Sequence, residues 1–154
     1  MIFIAHRGNL NGPCPEKENQ PSYIIEAIEK GFDVEIDIWR INGILYLGHD
    51  KPQYECDIDF LLQYQLNLWI HCKNLDALTY LLNNYSSLHL FSHDKDPVII
   101  TSKNIPWVYP GALLDKYCIC VMPERFGFNA EQHGDILGIC SDLIQFYRDG
   151  SYLT

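Results

Sequence analysis

Seven residues in this chain have the types and spacing to do chemistry together. His6 and Arg7 end the apolar run of "IFIAHRGN", Glu35 and Asp37 alternate in "DVEIDIW", His49 closes "LGHD", and His71 and Lys73 flank a cysteine in "IHCKN". Imidazoles titrate near neutral pH and can give or take a proton. A pair of carboxylates two residues apart on a strand shares one face. If that face is buried, two negative charges need cationic compensation, which a divalent metal supplies most simply. Arginine and lysine add donors for an anionic group.

The elements that must position these residues follow from the apolar patterning. Strands are expected at about 2–5, 32–38, 68–72 and 88–92, alternating with helices at about 21–30, 57–64 and 75–84. That βα alternation implies a parallel sheet. Pro21 suits a first helical turn, Ile24, Ile25, Ala27 and Ile28 form one apolar face, and Gly31 can close the helix in a left-handed conformation. Asn74 is placed to cap the helix carrying Leu75, Leu78, Leu81 and Leu82. The segments around Glu35 and His71 read as strands buried on both faces, one beneath helices and the other toward a barrel interior or cleft.

"RINGILYLGHD" predicts a hairpin about Asn42-Gly43, since both central positions of a type I′ turn want positive φ. It returns His49 beside Glu35 and Asp37. Unbroken register would set His49 opposite Ile36 on the wrong face, so the ladder is expected to bulge or splay near Gly48. After residue 95 the segments shorten. "PVIITSKNIPWVYP" reads as two strands about a Ser-Lys-Asn turn, "YCICVMPE" and "LGICSD" as two more, and their connections are too short to be helical crossovers throughout.

At 154 residues and 47% hydrophobic content, one domain spanning 1–154 is expected. The formal net charge of −9 argues against nucleic acid and anionic membrane surfaces as partners. No run approaches the roughly 20 apolar residues of a membrane span, and the amino terminus lacks the pattern of an export signal. A soluble, cytoplasmic protein without stable membrane insertion is the expectation, its six cysteines reduced and Cys118 and Cys120 packed on one strand face. Nothing in the sequence sets an oligomeric state.

"AHRGN", "ENQPSYIIEAIEKGFDVEIDIW" and "LGHD", in that order over residues 2–50, resemble the opening half of a glycerophosphodiester phosphodiesterase, of the phosphatidylinositol phospholipase C-like TIM-barrel group, with weaker echoes at "IHCKN" and "GICSD". The resemblance implies metal-dependent hydrolysis of a small phosphodiester substrate in lipid metabolism. His6 and His49 would be the general acid/base pair, Glu35 and Asp37 would bind a divalent ion, and Arg7 and Lys73 would hold the phosphate oxygens. Two departures stand out. His71 takes the place of a carboxylate ligand on the third strand, which tilts the metal from Mg or Ca toward Mn or Zn. The chain is also short for a TIM barrel, so the expected fold is a shrunken TIM-like (β/α) barrel with some helices of the C-terminal half missing.

Two alternatives remain open: an inactive phosphate- or phosphodiester-binding module, and a zinc metallohydrolase using His6, His49 and His71 as ligands with Asp37. Glu18 is placed as a ligand, a support for one, or a charge at the start of the first helix. His93 and Asp94 read as a solvated loop rather than pocket lining, His89 and His133 as surface residues, and Trp39, Trp69, Trp107 and Tyr109 as core or rim.

Overall fold

The computed structural model describes residues 1–109, 111–126 and 135–150. Its strands and helices alternate as β1 (Ile2–His6), α1 (Pro21–Glu29), β2 (Asp33–Ile41), β3 (Ile44–Leu47), β4 (Tyr54–Cys56), α2 (Ile58–Gln63), β5 (Leu68–Cys72), α3 (Leu75–Asn84) and β6 (Leu90–Phe91). The pattern then tightens into β7 (Val98–Ile100), β8 (Pro106–Val108), β9 (Ile119–Val121), a 3₁₀ turn at Pro123–Phe126, β10 (Gly138–Ser141) and α4 (Ile144–Arg148).

The ten strands among the described residues belong to one mixed sheet. Parallel pairing runs from β6 through β5, β2, β1, β10 and β9 to β8, with β3 and β4 added antiparallel at the end of β2 and β7 antiparallel on β8. First and last strands are therefore neighbours, with Ile4 opposite Cys140. Among the described residues no strand ladder joins β6 to β7, so the sheet is not closed. Its two ends nevertheless approach: Ser102 N donates to Leu90 O at 2.8 Å, and His89 Nε2 lies 2.7 Å from Thr101 Oγ1.

Local chemistry accounts for the elements. Pro21 opens α1, and Gly31 follows it at φ 84°. Asp57 and Asn74 cap α2 and α3 by accepting from the amides of Asp59 and Ala77. Asn42 and Gly43 turn at φ 52° and 84°, as the hairpin requires. The ladder runs from Ile41 opposite Ile44 to Ile38 opposite Leu47 and stops there. Gly48, at φ 142°, bonds its amide to Asp37 O at 3.1 Å, and a Cβ at that position would collide with Lys51 O. Gly48 thus still faces Asp37 in register, and the ladder ends there in the expected splay, from which His49 reaches the cavity.

Strand alternation divides the apolar side chains into two sets. Val34, Ile36, Ile70 and Cys72 pack with Ile24, Ala27, Leu61 and Leu81 of the helices, and Cys118 and Cys120 lie on this side. Ile4, Trp69, Phe91, Trp107, Ile119, Val121 and Cys140, from six strands, pack together on the other. Each such large side chain contributes roughly 1.5–3 kcal/mol by leaving water. His6, Glu35, Asp37 and His71 share the second face and continue it toward the carboxyl ends of the parallel strands. Between β6 and β8, and between β8 and β9, no helix occurs among the described residues, so the helical side is incomplete where the chain is shortest. No described helix is long and apolar enough to cross a membrane.

Candidate active site

Seven sequence-selected residues are brought to one end of the sheet. His6, Arg7, Glu35, His49, His71 and Lys73 line a single cavity of about 280 Å³, with Asp37 buried beneath them. β1 and β2 run parallel with His6 opposite Glu35, and β2 and β5 set Asp37 opposite His71.

Glu35, Asp37 and His71 form a buried group whose potential ligand atoms lie within 4.8 Å of one another. His71 Nδ1 is 3.1 Å from Asp37 Oδ1 and 3.8 Å from Glu35 Oε1. The Asp37 contact is close enough for an ion pair but lacks hydrogen-bond alignment. Among the described residues, Asp37 Oδ1 and Glu35 Oε2 are buried with no hydrogen-bond partner. Two unsatisfied carboxylate oxygens in the interior are unfavourable by several kcal/mol without a cation, so the donor set fits a divalent metal.

The other oxygen of Asp37 is fixed by protein. Asn19 Nδ2 donates to Oδ2 at 2.9 Å, the Asp37 amide donates to Asn19 Oδ1 at 2.9 Å, and Arg7 Nε lies 3.1 Å from Oδ2. Asn19 reaches this position from a left-handed backbone at φ 62°, a conformation asparagine tolerates better than most residues. Glu18 accepts from Arg7 NH1 at 3.0 Å and from Asn9 Nδ2 at 2.8 Å. It therefore orients Arg7 and Asn9 and stands outside the three-residue group. Lys73 Nζ lies 3.6 Å from Asp37 Oδ1.

His6 has a partner that sequence reasoning missed. Its Nδ1 lies 2.7 Å from Asp142 Oδ1, and Asn9 Nδ2 donates to the same oxygen at 2.8 Å. An ionised carboxylate only accepts, so Nδ1 carries the proton and Nε2 is left free, 3.9 Å from Glu35 Oε2. Asp142 is held in turn by Glu124, whose Oε1 accepts from Ser141 Oγ at 2.9 Å and from the Asp142 amide at 3.2 Å. The carboxylate that follows β10 in "GICSD" was the available signal. Its meaning needed the knowledge that first and last strands are adjacent.

Burial disfavours charge throughout the site, and specific neighbours decide the result. For His6, the hydrogen bond to Asp142 and the field of Glu35 outweigh burial and raise the pKa. Burial, then repulsion from Asp37, pushes the Glu35 carboxyl up. Asp37 moves oppositely: despite burial, His71, Arg7 and Lys73 hold it well below the usual carboxylate range. His49 is lowered by burial, with Arg7 and Lys73 adding to the effect against the pull of Asp37. Its Nδ1 pairs with Asp50 at 2.6 Å, and its side chain is 38% exposed at the mouth.

His93 and Asp94, expected in a solvated loop, line the cavity instead. The His93 ring stacks on Tyr109 with centroids 4.6 Å apart, and it lies 6.3 Å from His71. His89, expected on the surface, is half-buried, its ring tilted 37° against that of Trp69 with centroids 4.0 Å apart. Trp69 and Trp107 are buried, as expected of core residues. His133 lies outside the described residues.

An imidazole fixed by a carboxylate, a second imidazole at the mouth, a buried group of three potential metal donors and nearby cations can together move protons and bind a phosphoryl group. No protein-family model, curated protein or solved structure matches the chain, and its chemistry is read from these residues and their geometry.

Proposed function

We propose that the chain is a metal-dependent phosphodiesterase acting on a small phosphodiester, most simply a glycerophosphodiester, on a sheet curled into a minimal TIM-like barrel. The observation that carries this reading is the buried Glu35–Asp37–His71 group, with two carboxylate oxygens that lack a hydrogen-bond partner, at the cavity that His6 and His49 also line. The contacts between Leu90 and Ser102 and the shared inner apolar set support the barrel.

Glu35, Asp37 and His71 would hold the metal, with Mn or Zn favoured by the nitrogen donor and Mg or Ca by the two carboxylates. When bound, the ion supplies Lewis-acid polarisation of the phosphoryl group and offsets its charge. Arg7 and Lys73 orient the non-bridging oxygens. His6 and His49 divide the proton transfers: one takes a proton from the attacking water as its oxygen bonds to phosphorus, and the other delivers a proton to the alkoxide released as its P–O bond breaks. Asp142 keeps His6 in one tautomer and stabilises its imidazolium form. The free state of all six cysteines accords with a cytoplasmic setting.

The zinc metallohydrolase alternative, with His6 and His49 as ligands, is disfavoured because neither residue joins the three-residue group whose potential ligand atoms lie within 4.8 Å of one another. Hydrolysis of glycerophosphocholine and of bis(p-nitrophenyl) phosphate, assayed with Mn, Mg, Ca or Zn, tests the proposal. His6→Ala and His49→Ala should each abolish turnover with little change in thermal melt. Retained activity in both variants, or no turnover by the wild type with any of these ions, would refute it.

A further inference from the structure

We propose that Arg125 is an anion-binding residue of this site, gripping a phosphoryl oxygen in the cavity that Arg7 and Lys73 also line. The inference rests on the phosphodiesterase reading for its substrate, but its geometry stands separately.

Of the two cations chosen from sequence, Arg7 is engaged by hydrogen-bond-length contacts and Lys73 rests against one carboxylate. Two of the three nitrogens of Arg7 face protein carboxylates, NH1 at 3.0 Å from Glu18 and Nε at 3.1 Å from Asp37. Lys73 Nζ lies 3.6 Å from Asp37. Arg125 lines the same cavity, its side chain is 61% exposed, and the carboxylate nearest its guanidinium, Asp142 Oδ2, lies at 3.9 Å, beyond hydrogen-bond reach. It is thus the cavity-lining cation with the most donor capacity still free.

The turn that carries it is anchored. Met122, in a left-handed conformation at φ 49°, bonds its amide to Cys140 O at 2.7 Å, and the Arg125 amide bonds to Met122 O at 3.1 Å. Glu124 clamps the turn onto the end of β10 through Ser141 Oγ and the Asp142 amide. The chain therefore comes off β9 and is held so that Glu124 faces the sheet while Arg125 faces the cavity. A guanidinium presents paired N–H groups that match two oxygens of one phosphoryl group, and such charge-assisted bonds are about twice as strong as neutral ones. Its position beside Asp142 sets it next to His6, so an anion held there would lie against the imidazole that transfers the proton.

The test is titration of the metal-free protein with inorganic phosphate, followed by ³¹P line broadening. Arg125→Gln should weaken binding about tenfold, Arg125→Lys should recover part of it, and Arg148→Gln, remote from the cavity, should bind as wild type. In a parallel assay, the kcat/KM of bis(p-nitrophenyl) phosphate hydrolysis should fall about 10- to 100-fold in Arg125→Gln while the affinity for manganese alone is unchanged. Undiminished phosphate binding by Arg125→Gln, or no phosphate binding by the wild type, would overturn the inference. Loss of phosphate binding in a protein that hydrolyses no diester would uphold Arg125 and sink the phosphodiesterase reading. Hydrolysis indifferent to Arg125 would do the reverse.

Discussion

Replacing Asp142 by asparagine removes one negative charge with little change of shape, and that charge is the partner of His6. The contact is 2.7 Å long and both side chains are largely buried, at 12% and 6% exposure. A hydrogen bond to a charged group in such a setting contributes about 1.5–3 kcal/mol. If that difference is felt in full as His6 becomes an imidazolium, kcat should fall roughly 10- to 150-fold, at about 1.4 kcal/mol per factor of ten. A purely structural role would also lower stability, so the pH profile is the discriminating readout. In the native site Asp142 helps to raise the His6 pKa against burial. In Asp142→Asn the burial cost remains and the compensating charge is gone, so the profile limb that reports His6 should move to lower pH. Steady-state hydrolysis of bis(p-nitrophenyl) phosphate from pH 5 to 9 measures both effects, with circular dichroism melts to confirm folding. A folded variant with wild-type kcat and an unmoved limb would refute the role assigned to Asp142.

Asn19→Ala should strip Asp37 of two hydrogen bonds in a position only 1% exposed; an unfolding free energy lower by about 2 kcal/mol and manganese affinity weaker by about 10- to 100-fold are expected, measured by urea titration and by electron paramagnetic resonance of free manganese, and unchanged affinity would contradict the assignment. His89 is predicted to give acid sensitivity of folding. Burial, with Lys103 adding to it, lowers its pKa from 6.5 to about 4. The unfolded chain therefore binds the extra proton first, so the contribution of His89 is complete above pH 6.5 and is lost as pH falls toward 4. With allowance for partial exposure it amounts to about 2 kcal/mol. Denaturant titrations at pH 7 and pH 4.5 should show a smaller pH difference in His89→Gln by that amount, and an unchanged difference would rule the effect out.

What could be read from the sequence was what depends on near neighbours. Asn42-Gly43 declares its hairpin because only certain residues accept positive φ twice in succession, and period-two spacing places Glu35 with Asp37 whatever the rest of the fold does. The splay at Gly48 followed from counting register. The His6–Asp142 pair was not legible, since it spans 136 residues and exists only because β10 lies beside β1. Arg125 and His93 were missed for a related reason: each sits just beyond a short strand whose place in the sheet order the local pattern does not encode. Arg7 was legible as a cation near the site, but its engagement by Glu18 and Asp37 depends on how the loop before α1 folds back.

The central claim is that Glu35, Asp37 and His71 together bind a divalent cation. An anomalous difference map from crystals soaked in manganese tests it most directly. One strong peak is expected within coordination distance of all three side chains, on the cavity side of the sheet, and it should disappear in Asp37→Asn. A peak at surface carboxylates only, or none at concentrations that support hydrolysis, would contradict it.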